Sequence, residues 1–145
     1  MNSVLVAYAS CVLVLFVKML ALSCYQGFYR LRQLAFVNPE DAAVFGRQAG
    51  VQELPQVQRA AQAWANDLEN IPLFFALGGL CVAVQTPGAA TVWLCGGFTL
   101  ARVLHSVAYL RAWQPWRTLA YAAGLACLLG MAGLLTGGIL QGVGG

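Results

Sequence analysis

Charged side chains are scarce in this chain of 145 residues, where they make up 9% of the sequence against 60% for hydrophobic residues. A soluble domain usually carries about 25% charged residues. So few charges cannot cover a surface exposed to water, which excludes an ordinary soluble protein and indicates that the chain lies in lipid. The net charge of +3 is small and dispersed, which excludes a nucleic-acid-binding stripe.

Paired metal-ligand spacings are also missing. The number of cysteines is odd, none forms a CxxC pair, and all lie in apolar runs: Cys11, Cys24, Cys81, Cys95 and Cys127. This pattern excludes a disulfide framework and a zinc site, so we predict small buried thiols and no metal. The N-terminus has no positive region typical of a signal peptide, and its apolar run is too long for one, so we expect a retained membrane anchor.

Long apolar runs predict an all-α integral membrane protein. We expect membrane spans at approximately 4–29, 56–84, 89–111 and 115–140, because a hydrocarbon core of ~30 Å requires ~20 residues. The short connections between spans predict antiparallel neighbours and hence an up-down four-helix bundle. No repeat or second domain is evident, so residues 1–145 are expected to form a single domain.

Arginines indicate the orientation of the bundle. They flank the first and last connections, whereas the side with both termini and the turn at Thr86 has no Lys or Arg. By the positive-inside rule the basic side is cytoplasmic and both termini lie on the opposite side. No retention tail or targeting peptide is evident, which favours a bacterial inner membrane over the endoplasmic reticulum.

Polar side chains within the predicted spans are candidates for function, because lipid does not tolerate them without a partner. Arg102, His105 and Tyr109 share one face of the third span by their i, i+3, i+7 spacing. The second span carries three more polar residues at the same spacing (Gln62, Asn66 and Glu69), the fourth carries Arg117 and Tyr121, and the first ends at Arg30. Together they predict a pocket for a small zwitterionic or anionic ligand beside an apolar groove.

Structural roles remain open for single members of this set. Arg30, Arg111 and Arg117 could anchor helix ends at headgroups, and the tyrosines could belong to an interfacial belt. His105 could be a satisfied interior histidine, and Lys18 could snorkel or pair within the bundle, a structural role that is expected rather than one in catalysis.

Three motifs in the right order resemble the MAPEG family (membrane-associated proteins in eicosanoid and glutathione metabolism), in its microsomal glutathione transferase and prostaglandin E synthase branch. They are Asn38-Pro39-Glu40-Asp41, Asn66-Asp67-Leu68-Glu69-Asn70-Ile71-Pro72, and the segment from Arg102 through His105 to Tyr109. The resemblance extends from Lys18 to about Tyr121.

The resemblance implies a homotrimer that binds glutathione as co-substrate between neighbouring subunits near the cytoplasmic face. It implies glutathione contacts from Arg30, Asn66, Glu69, His105, Tyr109, Arg117 and Tyr121. Arg117 would stabilise the thiolate, with the hydroxyl of Thr118 beside it and Asp41 as an acid nearby. Arg102 would be structural or would line the pocket.

The chain departs from the family's pattern at two places. Where relatives have a basic, histidine-containing stretch, this chain has Gln62-Ala63-Trp64-Ala65. The turn from Leu110 to Pro115 is one residue shorter than in the prostaglandin synthase. The first change removes one expected arginine contact to glutathione and predicts a lower affinity. The second puts prostaglandin isomerisation in more doubt than thiol chemistry.

We therefore expect a glutathione transferase that joins the thiolate to lipophilic electrophiles, with lipid hydroperoxide reduction as a further activity. The alternatives are a glutathione-dependent lipid isomerase of the prostaglandin type and a non-catalytic lipid-binding scaffold of the same fold. A small transporter that uses Arg102 and His105 as a relay is weaker, because no inverted repeat is evident.

Overall fold

The computed structural model describes residues 2–143 and the side chains of residues 2–140. Within that part of the chain there are five helices and no strands. The helices are α1 (Ser3–Gln33), α2 (Pro39–Val44), α3 (Pro55–Ala83), α4 (Gly88–Leu110) and α5 (Trp116–Val143). The all-helical prediction is confirmed.

Local sequence signals set the helix boundaries. The Asn2 side chain accepts a hydrogen bond of 3.0 Å from the Val4 amide at the start of α1. Pro39 occupies the first turn of α2 and Pro55 that of α3, where the missing N–H has no helical partner in any case. The Asn38 side chain makes no capping hydrogen bond to α2, and its amide nitrogen donates to the Asp41 carboxylate at 3.2 Å.

The four long helices pack around a shared apolar core. α3 packs against α1, α4 and α5, and α4 packs against α1 and α5, whereas the backbones of α1 and α5 do not approach each other within the described residues. Each helix contributes at least one fully buried side chain, namely Leu15, Phe74, Phe98 and Met131. The rings of Phe74 and Phe98 stack with their centroids 4.7 Å apart. Gly130 lets α5 approach α4, because a Cβ there would lie 2.8 Å from the Leu94 side chain.

The surface of this bundle is apolar and part of its interior is polar. Large hydrophobic side chains such as Phe16, Leu100 and Leu129 are more than half exposed, whereas Asp67, Arg102 and His105 are buried. Two helical segments, Ser3–Gln33 and Trp116–Leu140, are long and apolar enough to cross a membrane, with mean hydropathy of 2.4 and 1.9. A soluble protein would show the opposite arrangement, because water would penalise so much exposed apolar surface.

Candidate active site

A cavity of about 270 Å³ lies at the end of the bundle where α4 stops and α5 begins. Three helices line it: α3 through one amide, α4 through an imidazole and a phenol, and α5 through a guanidinium, a hydroxyl and a phenol. The lining residues are Asn66, His105, Tyr109, Arg117, Thr118 and Tyr121. All six belong to the set that the sequence predicts as a site, so the structure brings this part of the prediction together.

Arg117 is held in place on two sides. Its guanidinium carbon lies 4.7 Å from the centroid of the Tyr109 ring, a cation–π contact. The Gln114 amide forms hydrogen bonds with both Arg117 and Thr118 when its oxygen faces Arg117. The oxygen then accepts from Arg117 Nη2 at 2.7 Å and from Nε at 3.1 Å, and the nitrogen donates to Thr118 Oγ1 at 3.1 Å. Sequence reasoning treated Gln114 only as part of a turn and missed this role, since spacing alone does not show which side chain a turn residue meets.

The same orientation of Gln114 determines what Thr118 can do. Because the Gln114 nitrogen donates to Thr118 Oγ1, the threonine hydroxyl keeps its own hydrogen for another acceptor. Thr118 is exposed towards the cavity. It is therefore a second hydrogen-bond donor beside the guanidinium.

His105 lies deeper, between the two phenols. Its ring centroid is 5.6 Å from that of Tyr109 and 6.2 Å from that of Tyr121. The residue is buried, and its Nδ1 has no hydrogen-bond partner among the described residues. An unsatisfied buried nitrogen costs about 1–3 kcal/mol. The rest of the His105 ring lines the cavity, where it can contact a ligand.

A buried ion cluster supports the cavity from behind. Asp67 is completely buried and accepts hydrogen bonds from Arg102 Nε at 3.1 Å and from Arg102 Nη2 at 2.7 Å. Its other oxygen pairs with Lys18 of α1. Of the two arrangements expected for Lys18, the structure shows pairing within the bundle, and Arg102 does not line the cavity.

Arg102 also orients the one α3 side chain of the cavity. Its Nη2 donates a hydrogen bond of 2.6 Å to Asn66 Oδ1. With that oxygen engaged, the amide nitrogen of Asn66 remains the group that can donate to a ligand. The ion cluster therefore determines which atom Asn66 presents.

Besides Arg102, three predicted site residues lie outside the cavity of this chain. Arg30 donates hydrogen bonds of 3.0 Å and 2.5 Å from Nε and Nη2 to Glu53 Oε2. Asp41 is exposed on α2, and Glu69 is exposed on α3 without a hydrogen-bond partner among the described residues. Glu53 was missed by sequence reasoning because a carboxylate in a loop has no periodic signal.

The chemistry of the cavity is that of hydrogen-bond donors around one cation. No group of three or more His, Cys, Asp or Glu in the described part of the chain could hold a metal ion. The cavity contains no carboxylate, and its guanidinium, amide and hydroxyl and the phenol of Tyr121 suit an anionic ligand. The Tyr109 phenol already donates a hydrogen bond of 3.2 Å to Gln62 Oε1.

A sequence profile described as the MAPEG family matches residues 8–137. The chain belongs to the MAPEG family. The match covers both the motifs that predicted it and the whole of the cavity, so the resemblance inferred from the sequence is confirmed. Membership and the two apolar helices together identify an all-helical, membrane-associated protein.

Curated relatives of both kinds for which the predicted MAPEG branch is named are similar to this chain. Microsomal glutathione S-transferase 1 of Bos taurus is 37% identical over 137 residues, which cover 90% of this chain and 88% of the relative. The Homo sapiens protein of the same name is 35% identical with the same coverage. Prostaglandin E synthase of Bos taurus is 38% identical over 129 residues, covering 87% of this chain and 84% of the relative.

Proposed function

We propose that this MAPEG protein is a membrane-bound glutathione transferase, which joins the thiolate of glutathione to lipophilic electrophiles. The observation that carries the proposal is the cavity in which Arg117 and Thr118 both present donors toward one space. Relatives named as microsomal glutathione S-transferase match 90% of the chain, which supports the same activity.

The donor set fits the chemistry of glutathione, which carries two carboxylates, an ammonium group and a thiol. A cysteine-type thiol has a pKa of about 8.5, so only a few per cent is ionised at neutral pH. A guanidinium beside the sulfur stabilises the anion and lowers that pKa. We assign this role to Arg117, with the free hydroxyl of Thr118 as a second donor to the sulfur.

The thiolate then attacks an electrophilic carbon, and the leaving group departs with the electron pair of the broken bond. With a lipid hydroperoxide, the sulfur instead attacks the terminal oxygen, and a second glutathione completes the reduction to alcohol, water and disulfide. Both reactions begin from the same anion. The remaining contacts, from Asn66, His105, Tyr109 and Tyr121, hold the peptide.

We further propose that a neighbouring subunit completes the site in a homotrimer. The cavity of about 270 Å³ is smaller than the ~300–1,000 Å³ of most ligand pockets, and it contains no carboxylate for the glutathione ammonium. Arg30, Asp41 and Glu69 lie outside it. In the proposed assembly, those residues reach glutathione across the boundary between subunits.

The proposed placement in the membrane rests on the buried ion cluster and on the distribution of the arginines. We propose that residues 1–145 form one domain and that α1, α3, α4 and α5 all cross the bilayer, because the buried ion cluster neutralises much of the polarity of α3 and α4. The end that carries the cavity faces the cytoplasm and both termini lie opposite, by the positive-inside rule. A bacterial inner membrane stays a prediction, and the mammalian relatives lend it no support.

The proposed function predicts that the purified protein in nanodiscs binds glutathione and conjugates it to an aryl halide. Calorimetry with glutathione measures binding, and the release of halide measures turnover. S-methylglutathione is the matched control ligand, since it keeps the peptide contacts but cannot form a thiolate, and it should bind without turnover. A protein that binds neither ligand would favour the scaffold alternative and contradict the proposal.

The trimer predicts complementation between two impaired variants. Arg30→Ala removes a contact on one side of the proposed boundary, and Arg117→Ala removes one on the other. When both chains are expressed together at equal amounts and assemble at random, about a quarter of all sites regain both arginines, because each site takes one from each of two neighbouring subunits in a closed ring. Turnover of the mixture should exceed the sum of the separate variants, and a merely additive result would contradict a shared site.

A second candidate activity is the isomerisation of a lipid endoperoxide, since relatives named prostaglandin E synthase are 36–38% identical to this chain. It would use the same thiolate without consuming glutathione. The glutathione balance separates the two: conjugation consumes one glutathione per product, and isomerisation consumes none.

A further inference from the structure

An apolar groove of about 450 Å³ runs along the outside of α4 and α5 and shares no lining residue with the candidate active site. Its walls are formed by Leu100, Leu104 and Val107 of α4 and by Leu119 and Ala123 of α5. Trp113 and Trp116 close it at the end where the two helices are connected. It is thus a separate feature of the molecule, and the proposed function does not depend on it.

The dimensions of the groove correspond to one lipid chain. Its α4 wall extends from Gly97 to Ala108, a distance of about 16 Å at 1.5 Å per residue. That length is about half of the ~30 Å hydrocarbon core of a bilayer. Tryptophans at the groove's end are typical of the headgroup level, so the groove spans the depth of a single leaflet.

The guanidinium of Arg111 lies at the headgroup end of the groove. The guanidinium carbon of Arg111 lies 4.8 Å from the centroid of the Trp113 ring, which itself lines the groove. Arg111 is exposed and has no carboxylate partner within the described residues. The sequence after Glu69 contains no Asp or Glu at all, so neither α4 nor α5 can supply one.

We infer that the groove between α4 and α5 binds an anionic phospholipid, with an acyl chain between the helices and the headgroup phosphate at Arg111. The acyl chain alone gives no preference for one lipid over another, because lipid tails are as apolar as the leucines that line the groove. The preference arises at the headgroup, where one basic side chain favours anionic over neutral lipid by about fivefold.

Tryptophan quenching by brominated lipids tests this inference directly. In a Trp64→Phe, Trp93→Phe background, the remaining tryptophans are Trp113 and Trp116 at the groove. Nanodiscs are prepared with phosphatidylglycerol or phosphatidylcholine brominated on the acyl chain. We expect phosphatidylglycerol to reach half-maximal quenching at about a fivefold lower mole fraction.

Matched variants separate the groove from general surface attraction. Arg111→Gln should abolish the difference between the two lipids, whereas Arg59→Gln, an exposed arginine on α3, should leave it unchanged. Ala123→Leu fills the groove and should reduce quenching by both lipids. Ala122→Leu adds the same side chain to an exposed position outside the groove and should not.

Equal quenching by the two lipids in the parent protein would overturn the inference, as would an equal effect of Arg59→Gln and Arg111→Gln. A third result would do the same: an aryl halide that displaces the brominated lipid, together with a raised KM for that halide in Ala123→Leu. The groove would then belong to the lipophilic co-substrate.

Discussion

Arg117→Ala is expected to lower the rate of glutathione conjugation at pH 7 by about one to two orders of magnitude. A depression of the thiol pKa by roughly two units from about 8.5 makes the thiolate the major form at pH 7, and its loss returns the ionised fraction to a few per cent. The affinity for glutathione should fall much less, because Asn66, Tyr109 and Tyr121 still line the cavity. Turnover and calorimetric binding, measured on the same preparation, separate the two effects.

The pH dependence of this loss has a definite sign. Because the guanidinium lowers the thiol pKa, its contribution is largest below about pH 8.5, where the free thiol is protonated. Above that pH the thiol ionises without help, so the rates of the variant and the parent should converge. Arg59→Ala, which removes an exposed guanidinium outside the cavity, is the control and should leave the profile unchanged. A deficit in Arg117→Ala that stays constant with pH would contradict thiolate stabilisation.

Asp67→Asn is expected to reduce the free energy of unfolding by about 3–5 kcal/mol. The substitution leaves Lys18 and Arg102 buried without the carboxylate that both contact. Removing one member of a buried ion pair carries a loss of that size, because an uncompensated charge remains in a medium of low polarity. Unfolding in mixed detergent micelles, followed by intrinsic fluorescence, measures the difference.

Glu53→Gln provides the comparison for this effect. It breaks the ion pair between Arg30 and Glu53, whose side chains are 38% and 22% exposed, respectively. Partly exposed ion pairs contribute about 0–1 kcal/mol to the free energy of unfolding. Equal losses of unfolding free energy in both variants would contradict the stabilising role that we assign to the buried cluster. The same holds if the unfolding free energy of Asp67→Asn equals that of the parent protein. Lys18→Met combined with Asp67→Asn should recover part of the loss, since it removes one of the two stranded cations.

Helical spacing in the sequence predicts which residues of the candidate site share one side of a helix. The spacing of Arg102, His105 and Tyr109 correctly indicated one side of α4. It did not show that Arg102 turns inward to Asp67 while the other two line the cavity, because a buried carboxylate on α3 competes for the guanidinium. Which side chains meet across helices is a tertiary property that periodicity on one helix does not contain.

The helices of the fold could likewise be predicted from local signals, whereas contacts between elements could not. Apolar runs and prolines indicated the long helices, since both signals are local. The two partners that the sequence concealed, Gln114 and Glu53, lie in connections, where no periodicity identifies a facing residue. The groove along α4 and α5 was equally hidden, because its walls come from two helices whose relative rotation only packing determines.

The ultraviolet absorbance of glutathione bound as its thiolate tests the central claim most directly, since it reports the ionisation of the sulfur without any electrophile present. Saturating glutathione added to the protein in nanodiscs at pH 7 should produce the thiolate band, and Arg117→Ala should lose it while still binding glutathione. Glutathione that binds to the parent protein without this band, or a band that persists undiminished in Arg117→Ala, would contradict the account.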